Sequence, residues 1–248
     1  MSASQRSLPG RLVTFEGGDG CGKSTHSEFL ERLLGELGHE VVHVREPGGT
    51  RLGESFRGTL LDPSGSPMSP RAELLIYEAA RAQLIDEVVI PALEDGKLVI
   101  CDRFTDSTIA YQGNGRGLDI GLIERLNSFA TDSVVPDVTL LLHCADRAEK
   151  KGRVDRREGR DRIELAGDGF HSRVIEGFLA LADYHSDRIA LIDTSGPHSE
   201  TAWSIVRAVD AVVPGLADQA SSRTDLFEEF DAEHDPSSDR GDSEGSEA

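Results

Sequence analysis

Cysteine is scarce in this chain, aromatic side chains make up only 5% of it, and no apolar run approaches the roughly 20 residues a membrane-spanning helix needs. Cys21, Cys101 and Cys144 stand far apart without a Cys-x-x-Cys spacing. That argues against a disulfide framework and a structural zinc site, and predicts reduced thiols in a cytoplasmic protein. Residues 1–10 hold a lone Arg6 and no apolar core, so they read as a flexible leader and not as a secretory signal. Positive charge is also short: 26 Lys and Arg face 45 Asp and Glu, a formal net charge of −19. A surface of that sign predicts no nucleic-acid partner and no anionic membrane. It leaves a nucleotide substrate open, because only the field inside the cleft matters there. From Asp218 onward eleven Asp or Glu face Arg223 and Arg240, so this end carries −9 and the remainder −10. Arginine greatly outnumbers lysine, which fits a high-salt habitat or GC-rich coding equally well.

What is present begins with Gly17-Gly18-Asp19-Gly20-Cys21-Gly22-Lys23-Ser24, which matches the phosphate-binding pattern G-x-x-x-x-G-K-[ST]. Glycines suit such a loop because converging backbone N–H groups must reach phosphate oxygens that a Cβ would keep away. Lys23 would meet the β and γ phosphates, and the Ser24 hydroxyl would ligate Mg²⁺. The context agrees with the motif. Leu12–Phe15 reads as a buried strand, and Phe29, Leu30, Leu33, Leu34 and Leu37 recur afterwards at helical spacing. The helix dipole then also favours an anion at the loop.

Val41–Val44 reads as a second buried strand, stopped by Pro47 and Gly48-Gly49. Helices are expected over 52–61 and, longer, over 71–93, with a Pro-, Ser- and Gly-rich surface loop between them. On the long helix Leu74, Leu75, Tyr77, Ala80, Leu84, Ile85, Val88 and Val89 form the apolar side. Tyr77 and Arg81, four residues apart, share a face; they are either a surface pair or the wall of a groove. Leu98–Asp102 is the clearest strand. The Asp102-Arg103 pair at its carboxyl end is either a structural ion pair or part of a site. Ser107, Thr108, Tyr111 and Gln112 follow at helical spacing, then a Gly-rich stretch and a helix entered through Asp119. Val138–His143 is a fourth strand, with His143 read as structural. Seven Lys or Arg then fall between Lys150 and Arg162, interleaved with acids. By itself such a run is a solvated helix face. A helix over 170–184, a fifth strand at 189–193 and a last helix over 200–213 complete the pattern. From Pro214 to Ala248 the chain is too polar to offset its ordering entropy and reads as a disordered acidic tail, with Phe227 and Phe230 as a weak docking segment. Five strands alternating with helices imply one α/β domain over 11–213, a parallel sheet covered on both faces.

Five blocks in order make this chain similar to the thymidylate kinases, nucleoside monophosphate kinases of the P-loop class. They are Glu16 through Thr25, Arg45-Glu46-Pro47-Gly48-Gly49-Thr50, Leu74-Leu75 with Ala79-Ala80-Arg81, Asp102-Arg103-Phe104 continuing to Gly117, and Asp161-Arg162-Ile163-Glu164. The resemblance covers about residues 11–213. It implies a P-loop NTPase fold of three α/β/α layers on a five-stranded parallel sheet, with a small lid near 150–166. It implies transfer of the ATP γ-phosphoryl group to the phosphate of dTMP, Mg²⁺ as cofactor and a homodimer. It also implies roles: residues Gly17 through Thr25 on ATP; Lys23, Arg103 and the lid arginines Arg153, Arg157 and Arg162 in catalysis; Ser24 and Asp102 on the metal. On the dTMP side it implies Asp19 at the deoxyribose 3′-hydroxyl, Tyr77 stacked on thymine, Arg81 at its carbonyl, Thr108 and Gln112 along the base edge, Tyr111 against the 2′ position, and Glu46, Arg57 and Arg103. Because Gly20 and Cys21 stand where some relatives carry a loop arginine, the lid-arginine form is implied. Phe104 and Tyr77 are the departures from the usual pattern, and both keep an aromatic ring. A kinase of another nucleoside monophosphate, or a nucleotide-binding regulator, are the rival readings.

Overall fold

The computed structural model describes residues 8–65, 67–144 and 161–234. Five strands, β1 (Arg11–Glu16), β2 (Val41–Arg45), β3 (Leu98–Asp102), β4 (Val138–His143) and β5 (Ile189–Asp193), form one parallel sheet in the order β2-β3-β1-β4-β5. Alternation along the strands splits the core in two. Val13, Phe15, Leu98, Ile100, Leu140 and Leu142 face one side, while Leu12, Val99 and Cys101 face the other. β2 is an edge strand and only Val44 on it is buried, so the expectation of a buried second strand fails for Val41 and Val42.

On the first face lie α1 (Lys23–Glu36) and, packed against it, α8 (His198–Val209), with two short helices described below. On the other lie α3 (Pro70–Leu84), α4 (Ile90–Glu94), α5 (Thr105–Thr108), α6 (Ile120–Ala130) and α7 (Asp168–Tyr184), while α2 (Arg51–Leu61) packs on α3. The helix starts are legible in the sequence: Thr50, Ser69 and Asp119 each accept a backbone N–H of the following turn. The single long helix expected over 71–93 is instead α3 and α4 joined by a π turn, Ile85–Val89. Pro91, in the first turn of α4, has no N–H to give. Leu75 points outward at 57% exposure, whereas Glu73, Glu78 and Arg81 are buried. A second π turn, Ile109–Gly115, follows α5 and packs against α7.

The end of the chain departs most from expectation. Residues Leu216–Ala220 (α9) and Thr224–His234 (α10) are helical, and α8 ends at Val209. Leu216, Ala220, Leu226, Phe227 and Phe230 are buried against α1 and α8. Few apolar residues suffice here because they fall on one face: Phe227 stacks on Trp203 at 4.1 Å and Phe230 on Phe29 at 4.3 Å. Residues 1–7 of the leader, 235–248 of the tail and 145–160, which hold most of the expected lid with Arg153 and Arg157, lie outside the described residues.

Candidate active site

The connection after β1 crosses the sheet's carboxyl edge beside β4. Gly17 has φ +134° there, and a Cβ on it would run into the Leu142 carbonyl oxygen. Gly22, at φ +80°, precedes α1 in the left-handed conformation. Lys23 opens α1, is buried, and donates from Nζ to the Gly18 carbonyl at 2.8 Å. Burial first, then the charge of Arg103, lowers its ammonium to a pKa of about 8, against the pull of Asp19. Such a cation gains from a nearby anion. Ser24 is exposed at the mouth of the loop, while the Cys21 side chain lies in the core, leaving only its backbone for the loop.

In this strand order the chain leaves β1 toward one edge and β3 toward the other, so a crevice opens between their carboxyl ends. Arg103 follows β3 at φ 67°, a left-handed conformation costly for arginine. Its guanidinium bridges to the loop after β1, donating to Asp19 at 2.6 Å and to the Gly17 carbonyl at 3.1 Å, and lies 5.1 Å from the Tyr111 ring centroid. Burial would lower its pKa; Tyr111, Asp19 and Glu16 outweigh that and raise it. Asp102 and Arg103 therefore do not pair with each other: the arginine reaches Asp19, and Asp102 Oδ1 is buried without a hydrogen-bond partner among the described residues. Glu16 anchors the arginine's loop from below. Its carboxylate accepts the Phe104 and Ser107 N–H groups at 2.8 and 3.0 Å and the Ser107 hydroxyl at 2.6 Å. Burial, then Asp106, raises Glu16 to about 7.

A cavity of about 90 Å³ opens beside this bridge. Asp19, Glu46, Arg57, Tyr77, Arg81, Arg103, Thr108, Tyr111 and Gln112, the whole acceptor-side set expected from sequence, line it. Arg57 donates to the Pro47 carbonyl at 3.0 Å, and burial, then Arg45, lowers its pKa. Arg81 is the deepest group. It donates to Glu46 at 2.7 and 2.9 Å, Asn127 at 2.7 Å, Thr108 at 2.9 Å, the Phe104 carbonyl at 3.1 Å and Glu78 at 3.2 Å. Its five N–H groups are thus committed to protein, unlike the expected donor to a base carbonyl. Burial raises Glu46 and Glu78 despite Arg81.

Arg162 does not line the cavity. It donates to Glu73 at 2.6 Å and to the Leu60 carbonyl at 2.8 Å, while its Nη2 is buried without a hydrogen-bond partner among the described residues. Glu73 also receives Gln112 at 2.9 Å and both arms of Arg116 at 3.1 Å. Burial would raise this carboxyl, but those donors hold it below the usual range. Sequence reasoning missed Glu73, although it stands one turn before Tyr77 and two before Arg81 on the same face; that spacing was its signal. Asn127 and Glu78 had none. Among the described residues no His, Cys, Asp or Glu group is arranged to enclose a metal by itself.

A family profile described as thymidylate kinase matches residues 15–205. The thymidylate kinase of Gloeobacter violaceus is 49% identical over 200 residues, covering 80% of this chain and 94% of the relative. That of Cutibacterium acnes is 45% identical over 206 residues, covering 83% and 99%. A solved thymidylate kinase from Ehrlichia chaffeensis superposes with a TM-score of 0.68 at 33% identity, covering 81% of this chain and 98% of that one.

Proposed function

The chain belongs to the thymidylate kinase family, an enzyme family, and from that premise we propose in-line transfer of the ATP γ-phosphoryl group to the 5′-phosphate of dTMP. The observation that supports this most is the single cavity where the phosphate loop's Asp19 and the Arg103 guanidinium meet Tyr77, Arg81 and Gln112. An acceptor phosphate is already ionised near neutral pH, its last pKa being about 6, and needs no strong base. The barrier is the approach of two polyanions, so catalysis is positioning and charge neutralisation. Lys23 and the backbone from Gly17 to Thr25 serve the donor phosphates. Arg103, between loop and cavity, serves both nucleotides, and Arg57, held by a carbonyl in a desolvated position, serves the acceptor phosphate. Tyr77 stacks on the base, Thr108 and Gln112 face its edge, Tyr111 guards the 2′ position, and Arg81 acts by fixing Glu46 and Thr108. The lid spans about 150–166. Its Arg153 and Arg157 are assigned to the transferring phosphoryl group from the family resemblance alone, and Arg162 would exchange Glu73 for phosphate.

The residues present fit Mg²⁺: Ser24 is an exposed hydroxyl beside the loop, and Asp102 offers a buried, unpartnered carboxylate oxygen. The ion would neutralise charge on the β and γ phosphates. A homodimer is supported by Leu52 and Leu75, exposed on the adjoining helices α2 and α3, and sedimentation of the purified chain tests it. The acidic surface supports no nucleic-acid partner, and three buried free thiols support a cytoplasmic location.

An ADP-release assay with dTMP, dUMP, UMP, CMP and AMP decides the reading. Turnover is expected to be fastest with dTMP and to fall by about 10³-fold or more in Arg103→Ala. Equal ADP release with and without dTMP would leave a nucleotide-binding regulator instead.

A further inference from the structure

We propose that α10, which lies beyond the residues the family profile matches, is a positioning element for the phosphate loop and acts through His26. The inference rests on the loop's role in binding ATP. The Gly22 carbonyl, immediately before Lys23, accepts two hydrogen bonds from one residue. The His26 backbone N–H reaches it at 3.1 Å and the ring Nδ1 at 2.8 Å, so Nδ1 carries the proton. In a planar trans peptide the C=O of one residue and the N–H of the next point in opposite directions. Fixing the Gly22 oxygen therefore aims the Lys23 N–H out of the helix end, toward the loop where a phosphate would lie.

The ring that does this is held between α8 and α10. His198 stacks on it at 5.2 Å with planes 9° apart, and Phe230 meets it edge-on at 5.4 Å. His234 stacks on His198 at 4.7 Å, extending the column onto the last turn of α10. Phe230 in turn lies on Phe29 of α1 at 4.3 Å. Ion pairs Arg223–Glu36 and Arg32–Glu233, and the Ser199 N–H on Asp231 at 2.8 Å, tie α10 to α1 and α8. Without α10 the imidazole would keep its bond to Gly22 and its stack on His198 but lose the Phe230 wall and the His234 backing of His198, so the loop would spend less time with its N–H groups aligned.

A fluorescent ATP analogue titrated onto the full-length chain and its His26→Leu, His26→Gln and Phe230→Leu variants tests this, beside steady-state kinetics and melting curves. His26→Leu is expected to weaken the analogue and raise the KM for ATP about tenfold, the loss of one hydrogen bond, while the KM for dTMP stays within about twofold. His26→Gln, whose amide can still donate to Gly22, is expected to recover most of that affinity. Phe230→Leu, which leaves His26 in place, is expected to show the same ATP-selective loss at smaller size. Wild-type ATP affinity in both His26→Leu and Phe230→Leu overturns the proposal, as does a parallel loss of ATP and dTMP affinity that tracks melting temperature. If His26→Leu does not fold, Phe230→Leu decides. Absence of dTMP turnover in the wild-type chain would refute the kinase reading without touching the analogue titration.

Discussion

Lys23 and Glu16 show how far burial sets the chemistry of this site at the level of single residues. Lys23 is lowered to about 8 by burial, then by Arg103, so part of the free protein loses this charge as pH rises through that range. Phosphates docking on it would restore the charge. Calorimetric titration with ATP in buffers of different ionisation enthalpy is therefore expected to show more proton uptake at pH 8 than at pH 7. Glu16 runs the other way, raised to about 7 by burial, then by Asp106. Between the unfolded value of 4.5 and about 7 the folded chain binds the extra proton. That stabilisation is complete below pH 4.5 and is lost as pH rises through 7. Glu16→Gln keeps an acceptor for the Phe104 and Ser107 N–H groups but cannot ionise. Urea midpoints compared at pH 5 and pH 8 are expected to fall more for the wild type than for this variant. Neither shift was legible in the residues beyond their type, because a pKa depends on who else is buried nearby.

Among the elements, the wall of the cavity opposite α3 is the contact between α7 and the π turn Ile109–Gly115. Tyr111 sits there between Phe170 and Phe178, both at 6.0 Å. Close approach is possible because Gly177 faces Asn114: a Cβ at Gly177 would come within 2.7 Å of the Asn114 side chain. Gly177→Ala is expected to cost about 1–3 kcal/mol, read as a lowered melting temperature, and to weaken dTMP through the displaced Tyr111. The existence of the helices and strands was legible in the residues, as was the entry to α6 through Asp119. The two π turns were not, since nothing in a hydrophobic period marks the insertion of one extra residue. Nor was the depth of Arg81, which the spacing put on a face with Tyr77 but which Glu46 and Asn127, from two distant places in the chain, and Glu78 on its own helix draw inward.

For the whole molecule, a net charge of −19 means self-repulsion in the compact state. Raising NaCl from 10 to about 150 mM shortens the screening length from about 30 to 8 Å and is expected to raise the melting temperature. A chain cut after His234, which loses five acids and one arginine, is expected to show a smaller rise. The same surface explains why the last described helix escapes notice. Its exposed side is acidic, and composition averaged over the tail hides the single apolar stripe of Leu226, Phe227 and Phe230. By itself the sequence determined the alternating α/β pattern, the phosphate loop and the five blocks of the family. Those depend on local spacing and on side chains that must meet phosphate or core at fixed offsets. Only the tertiary structure decided that α10 covers His26, that Arg162 rests on Glu73 and that Arg81 is fully engaged within the protein. Each of these follows from which distant residues share one desolvated volume, and no periodicity along the chain encodes that.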